Sequence, residues 1–247
     1  MSVDNDGGPA SPLARRGLVR AGLGGAALLG TGLLCVASAA SGSRPEPGVG
    51  GPRPTGPEPA WRELAAGNRR WRTLHERHPD ESRTVRRVLM AGQHPFAVVL
   101  GCVDSRVPPE LVFDQGLGDL LTVRSAGQVL DEAVLGSIAY GVLELGVPLV
   151  VVLGHQGCGA VAAAVDADGT GDPLPAHVRY LADQIRPAVD PGLPRPARVE
   201  AAVTANVRRV RASLAAEPDL AARVAAGRLA VVGARYELSS QRVTRLD

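Results

Sequence analysis

The chain has 247 residues, of which 45% are hydrophobic and 21% are charged. This composition allows a buried core and excludes a protein that is disordered throughout. The 27 basic residues, all of them Arg, are mixed with 25 acidic residues and leave a net charge of +2. Because the sequence has no basic tail and only 3% aromatic residues, no nucleic-acid partner is expected.

Residues 1–40 resemble an export signal of the twin-arginine type. Arg15 and Arg16 precede an uncharged stretch rich in Gly, Ala and Leu, and small residues at positions 37–39 offer a cleavage site. The competing interpretation is a retained membrane anchor, since residues 21–40 approach the ~20 residues that span a bilayer. We expect an exported protein that contacts a membrane only where this segment is retained.

Residues 41–60 are dominated by Pro and Gly and are predicted to be a linker. Residues 61–247 are predicted to form one α/β domain. Helical spacing of apolar residues predicts helices over residues 61–74, 83–90, 131–145, 160–165, 177–185 and 197–214. Continuous apolar runs predict buried strands over residues 96–101, 120–123, 148–153 and 228–233. Their alternation favours a mostly parallel sheet flanked by helices. Residues 166–172 are predicted to form a turn.

Chemically reactive side chains follow two of the predicted strands. Cys102, Asp104 and Arg106 come directly after the first strand, and His155 and Cys158 follow the third. The carboxyl ends of parallel strands meet at one edge of a sheet, where open α/β sheets bind their ligands. We therefore expect these side chains to lie close together.

Two cysteine sulfurs and one imidazole nitrogen are a ligand set that suits Zn²⁺. Cys102, His155 and Cys158 would leave a fourth position open for water, as in catalytic zinc sites, with one ion per chain. The alternative is a disulfide between the two cysteines, which is common in exported proteins. A disulfide gives no role to His155 or Asp104, so the zinc site is favoured.

Asp104 and Arg106 are the candidate catalytic residues. The carboxylate of Asp104 could accept a hydrogen bond from water at the open position while Arg106 holds it by a bidentate ion pair. Alternatively, Asp104 could itself become the fourth zinc ligand and close the site. The sequence leaves both arrangements open.

The motif C-x-D-S-R-x-x-x-E from Cys102, the sequence F-D-Q-G-L-G-D-L from Phe113 and the sequence V-P-L-V-V-V-L-G-H-x-x-C-G-A-V from Val147 resemble those of the β-class carbonic anhydrases. The resemblance is dense over residues 93–165. It implies zinc bound by Cys102, His155 and Cys158, with Asp104 and Arg106 as a catalytic dyad. It also implies reversible hydration of CO₂ to bicarbonate, and a homodimer or higher homo-oligomer with the metal near the interface.

Two other functions remain open at this stage. The same zinc fold could hydrolyse a CO₂ analogue such as carbonyl sulfide or carbon disulfide. The chain could also be a non-catalytic zinc-bearing structural or binding protein whose site stays closed by Asp104.

Overall fold

The computed structural model describes residues 53–170 and 173–246. The predicted signal over residues 1–40 and most of the predicted linker lie outside the described residues. Within the described ranges, no helix is both long enough and apolar enough to cross a membrane.

Five strands form one sheet in the described part of the chain. Their bounds are β1 (Ala97–Gly101), β2 (Leu120–Arg124), β3 (Leu149–His155), β4 (Ala230–Tyr236) and β5 (Val243–Leu246). The spatial order is β2-β1-β3-β4-β5, and only the β4–β5 pair is antiparallel. The predicted mostly parallel sheet is confirmed. The sequence does not predict β5, because this short edge strand is half exposed and has no continuous apolar run.

Eight α-helices accompany the sheet within the described residues. They are α1 (Pro57–Arg72), α2 (Arg83–Val88), α3 (Pro109–Val112), α4 (Glu132–Leu143), α5 (Gly159–Thr170), α6 (Ala176–Ile185), α7 (Arg195–Ala216) and α8 (Pro218–Ala225). Every helix predicted from the sequence is present. The sequence does not predict α3 and α8. Helix α3 has only four residues, too few to show a helical period, and α8 has eight residues with a single buried side chain, Leu220.

Two helix boundaries differ from the sequence prediction by about four or five residues. Helix α1 begins at Pro57, inside the predicted linker. Proline is favoured in the first turn of a helix, and Glu58 adds a negative charge at the positive end of the helix dipole. Helix α5 runs on to Thr170, so the turn predicted over residues 166–172 is wrong for residues 166–170. The alanine-rich start of α5 favours continuation of the helix.

Both faces of the sheet are covered by apolar side chains. On one face, Val99 and Val151 belong to a cluster with Leu64 of α1. On the other, Val98 belongs to a cluster with Val207 of α7. Full burial of an aliphatic side chain stabilises a fold by about 1.5–3 kcal/mol. Because both faces of these strands are buried, successive residues along each strand are apolar.

The strand register determines where the site forms. Gly101, the last residue of β1, pairs with Leu153 of β3, and β3 continues for two more residues to His155. Cys102 therefore leaves the sheet beside the end of β3. This places the two predicted site segments at the same edge of the sheet.

Candidate metal centre

Two chain segments bring two sulfur atoms and one imidazole together. Cys102 follows β1, His155 ends β3, and Cys158 immediately precedes α5. Their ligand atoms lie within 4.8 Å of one another, and all three residues are buried. The two Sγ atoms are 3.9 Å apart, about twice the length of a disulfide bond, and both thiols are free. The structure therefore contains three separate donor atoms and not the alternative disulfide.

The turn between His155 and Cys158 depends on a glycine. Gly157 has a φ of 62°, which lies in the left-handed region that favours glycine over residues with a side chain. The turn links the end of β3 to the start of α5. It allows the ligand atoms on either side of it to approach Cys102.

One ring nitrogen of His155 is already engaged in a hydrogen bond. Nδ1 lies 3.0 Å from the carbonyl oxygen of Gln156. Because a carbonyl oxygen only accepts, Nδ1 carries the hydrogen and Nε2 carries the lone pair of the neutral ring. Nε2 is buried without a hydrogen-bond partner among the described residues. Such an acceptor is costly to bury, and a metal ion bound at Nε2 would remove that cost.

The contact between the two thiols lowers the pKa of Cys102 and raises that of Cys158. A hydrogen bond from Cys158 lowers the pKa of Cys102 to about 4, against the opposing effect of burial. The backbone N–H of Gly127 also donates to the Cys102 sulfur, at 3.4 Å. The pKa of Cys158 is raised by its hydrogen bond to Cys102, by burial and by the charge of the Cys102 thiolate. A divalent cation is the partner that would let both sulfurs ionise together.

Arg106 holds the carboxylate of Asp104. Its Nε donates to Oδ1 at 2.9 Å, its Nη2 donates to Oδ2 at 2.7 Å, and its backbone N–H donates to Oδ1 at 3.0 Å. Hydrogen bonds from Arg106 hold the pKa of Asp104 well below its usual range. Asp104 Oδ2 lies 3.9 Å from Nε2 of His155. Of the two arrangements that the sequence leaves open for Asp104, the structure contains the pair with Arg106.

The donor set of the site fits zinc. Two buried sulfurs and one imidazole nitrogen with an unused lone pair match the soft and borderline ligands that Zn²⁺ prefers. The backbone carbonyl that accepts from His155 Nδ1 is the kind of outer partner that orients metal-binding imidazoles. Cys102, His155 and Cys158 are therefore the residues that would hold the ion, with an ionised carboxylate beside them.

Sequence reasoning missed two residues near Cys102: Arg124 supports the loop that carries Cys102, and Asn206 supports Gly127, whose backbone N–H donates to the Cys102 sulfur. Arg124, at the end of β2, donates from Nε to the carbonyl oxygen of Cys102 and from Nη2 to that of Asp104, both at 2.7 Å. Asn206 of α7 donates to the carbonyl oxygen of Gly127 at 2.7 Å. A sequence signal existed for Asn206, since it is a polar residue within the apolar stripe of α7.

The remaining histidines lie outside the site. His75, His78, His94 and His177 are all exposed.

Gln115 and Gln128 are both buried. Gln115 donates to the carbonyl oxygen of Phe113 at 2.9 Å, and Gln128 has a buried Nε2 without a partner among the described residues.

Comparisons with known proteins show the family to which the chain belongs. A family model described as carbonic anhydrase matches residues 97–243. The chain is 44% identical over 198 residues to carbonic anhydrase 2 of Mycobacterium tuberculosis, covering 78% of this chain and 94% of that protein. It is 43% identical to a carbonic anhydrase of Mycolicibacterium smegmatis, with 76% of this chain and 92% of that protein covered.

A solved structure shares the fold. The β-carbonic anhydrase CafA of Aspergillus fumigatus superposes with a TM-score of 0.62 at 26% identity, covering 76% of this chain and 90% of that chain. The matched family region contains both loops of the candidate metal centre. This chain is an enzyme of the β-class carbonic anhydrase family.

Proposed function

We propose that this protein catalyses the reversible hydration of CO₂ to bicarbonate and a proton, with one Zn²⁺ per chain held by Cys102, His155 and Cys158. The observation that carries the proposal is the convergence of these three donor atoms within 4.8 Å beside a carboxylate held by Arg106. The family membership of the chain supports the same reaction.

Zinc in such a site supplies a positive charge that makes a water molecule acidic enough to serve as a nucleophile near neutral pH. The protein must then orient that water. Asp104 is ionised and is an acceptor only, so it accepts a hydrogen bond from the water and leaves an oxygen lone pair of that water directed at CO₂. The water oxygen bonds to the carbon, one C=O electron pair moves onto oxygen, and a proton is released to solvent.

Arg106 keeps Asp104 in this role. Its bidentate contact orients the carboxylate and keeps it ionised. The side chain of Arg106 is 56% exposed and that of Asp104 is 16% exposed, so this side of the centre lies near the protein surface. In the single chain, CO₂, bicarbonate and the proton can therefore reach this side of the centre from solvent.

A stopped-flow assay with a pH indicator tests the proposal. We expect purified protein to contain one zinc per chain and to accelerate CO₂ hydration, to lose activity after chelation and to regain it with added Zn²⁺. Zinc-loaded protein that does not accelerate CO₂ hydration would contradict the proposal. Carbonyl sulfide and carbon disulfide form a second arm, in which rapid release of sulfide without CO₂ hydration would indicate the analogue hydrolase instead.

We further propose that the chain forms homodimers through the side of the sheet that ends in β2. This strand lies at the edge of the sheet. Beside it, a groove of about 650 Å³ is lined by Leu121, Val123 and Tyr140, and the Tyr140 side chain is 49% exposed. Light scattering coupled to size exclusion is expected to give a dimer or larger assembly, and Tyr140→Glu is expected to shift it toward monomer. A wild-type monomer at micromolar concentration would contradict this proposal.

We propose export of the protein through residues 1–40. The support is the Arg15–Arg16 pair followed by an uncharged stretch. A reporter that is active only outside the cytoplasm, fused after residue 60, tests the proposal. Export is expected for the native segment and is expected to be lost when both arginines are replaced by lysine. Equal reporter activity with and without residues 1–40 would contradict export by this route.

A further inference from the structure

We propose that Glu200 is a positioning residue for the zinc centre: braced by Arg235, its carboxylate holds the backbone N–H of Gly157 and so fixes the loop that carries His155 and Cys158. This inference rests on the proposed zinc-dependent function. It concerns a residue outside the three ligands and outside the Asp104–Arg106 pair.

The contacts of Glu200 link three parts of the fold. Oε1 accepts a hydrogen bond from the backbone N–H of Gly157 at 3.2 Å, and Oε2 accepts from Nη2 of Arg235. Arg235 Nη1 donates to the backbone carbonyl oxygen of Glu200 and to Oγ1 of Thr204, both at 2.9 Å. One carboxylate therefore connects helix α7, strand β4 and the loop of the metal centre.

The hydrogen bond to Glu200 restrains the backbone at Gly157, where no sheet or helix hydrogen bond within the described part of the chain does so. The backbone N–H of Gln156 still belongs to the sheet, because it donates to the carbonyl oxygen of Tyr236 at 2.9 Å, and helix α5 begins only at Gly159. Gly157, between them, is in a left-handed conformation with a φ of 62°. Glycine has the largest conformational freedom of any residue, so a hydrogen bond at this position restricts the most flexible point between two metal ligands.

The charge of Glu200 makes this hydrogen bond stronger than a neutral one. Its ion pair with Arg235 restricts where the carboxylate can lie, since the Arg235 side chain is only 14% exposed. Arg235 also contacts a second acid, Glu237, through Nε at 2.7 Å. Loss of a residue that orients a metal-binding group typically lowers metal affinity by about 10–100-fold, so Glu200 should affect zinc retention more than global stability.

Glu237 provides a matched control. It pairs with the same arginine as Glu200, and its backbone N–H bonds to the carbonyl oxygen of Arg242. Both side chains are partly exposed, at 40% for Glu200 and 31% for Glu237. Replacement of either acid removes one ion pair from Arg235, but only replacement of Glu200 removes the hydrogen bond to Gly157.

The experiment measures zinc dissociation from the full-length zinc-loaded protein into an excess of a colorimetric chelator. We expect Glu200→Ala to release zinc about 10–100-fold faster than the wild type. Glu200→Gln should be intermediate, because its amide oxygen can still accept from Gly157, and Glu237→Gln should match the wild type. The absorption bands of cobalt-substituted protein provide a second readout, which should shift in Glu200→Ala and not in Glu237→Gln.

Two results would overturn the inference. One is wild-type zinc release from Glu200→Ala, or from the near-isosteric Glu200→Gln if the alanine variant does not fold. The other is equal acceleration in Glu237→Gln, which would indicate a general effect of Arg235 pairing. Failure of the proposed function is distinguishable, because wild-type protein would then bind no zinc or hydrate no CO₂.

Discussion

The guanidinium group of Arg106 grips both carboxylate oxygens of Asp104, at 2.9 and 2.7 Å, while Oδ2 of that carboxylate remains 3.9 Å from Nε2 of His155. The carboxylate thus lies beside the three converging donors and is engaged by an arginine that is itself more than half exposed. The Asp104–Arg106 pair is therefore distinct from the three candidate metal ligands. Substitutions in the pair and substitutions in the ligands can be tested independently.

Replacement of Arg106 is expected to impair turnover more than zinc binding. In Arg106→Ala the Asp104 carboxylate loses its orienting partner, so kcat/KM for CO₂ should fall by on the order of 100-fold. Zinc content should stay near one per chain. Stopped-flow kinetics and metal analysis of the same preparation check both expectations.

Arg195 supplies the control for this variant. It forms a similar ion pair with Asp166, at 2.7 and 2.6 Å, between exposed side chains. Arg195→Ala should therefore keep wild-type kcat/KM. Equal loss of activity in both variants would show that the Arg106 effect is not specific to the site.

Replacement of Cys158 is expected to remove zinc and activity together. In Cys158→Ser a hydroxyl group replaces a sulfur ligand, and serine does not ionise readily enough to replace a thiolate at neutral pH. Metal analysis should find much less than one zinc per chain, and CO₂ hydration should fall to background. Cys35→Ser, within the predicted signal, should change neither quantity. Wild-type zinc content and rate in Cys158→Ser would exclude Cys158 as a ligand.

Replacement of Asn206 is expected to destabilise the fold. Its side chain is buried and donates to the carbonyl oxygen of Gly127. In Asn206→Ala that carbonyl loses its partner, so the free energy of unfolding should decrease by about 1–3 kcal/mol. Urea denaturation measures the change, and Ser213→Ala on the exposed side of α7 is the control. An unchanged denaturation midpoint in Asn206→Ala would argue against a structural role for this bond.

Asp119 is expected to make stability depend on pH. Burial is the main cause that raises the pKa of this carboxyl to about 6, and the charge of Asp80 adds to it, whereas the Gly116 amide and Arg53 oppose it. An acid with a raised pKa binds its proton more tightly in the folded state. The folded protein therefore loses stability as pH rises from about 4 to about 6, and the cost is fully present above that range.

Asp119→Asn tests this expectation because its amide cannot ionise. The variant should gain stability relative to the wild type between pH 4 and pH 6, by up to about 3 kcal/mol. Urea denaturation of both proteins, each depleted of metal, measures the difference at each pH. A difference that is constant across this range, or that changes in the opposite direction, would contradict the raised pKa.

Much of the architecture follows from local sequence patterns. Residues 97–101 are apolar without interruption, so both faces of this strand must be buried. Burial on both faces is typical of a parallel sheet between layers of helices. The parallel arrangement then places Cys102 and His155 at one edge, since both lie at the carboxyl ends of strands that point the same way. The residue types Cys and His likewise indicate zinc binding, because sulfur and imidazole nitrogen are the ligands that Zn²⁺ prefers.

Tertiary structure alone decided the rest. The sequence allows Asp104 either to pair with Arg106 or to approach the ligands, because both arrangements satisfy the same carboxylate, and the choice depends on distances of a few ångströms. The contacts of Arg124 and Glu200 with the two loops, and the contact of Asn206 with Gly127, depend on how β2 and α7 pack against the strand ends. Such contacts join residues from 20 to 79 positions apart, and no local pattern encodes them. The sequence by itself therefore determined which atoms could bind a metal, and packing determined how those atoms are held.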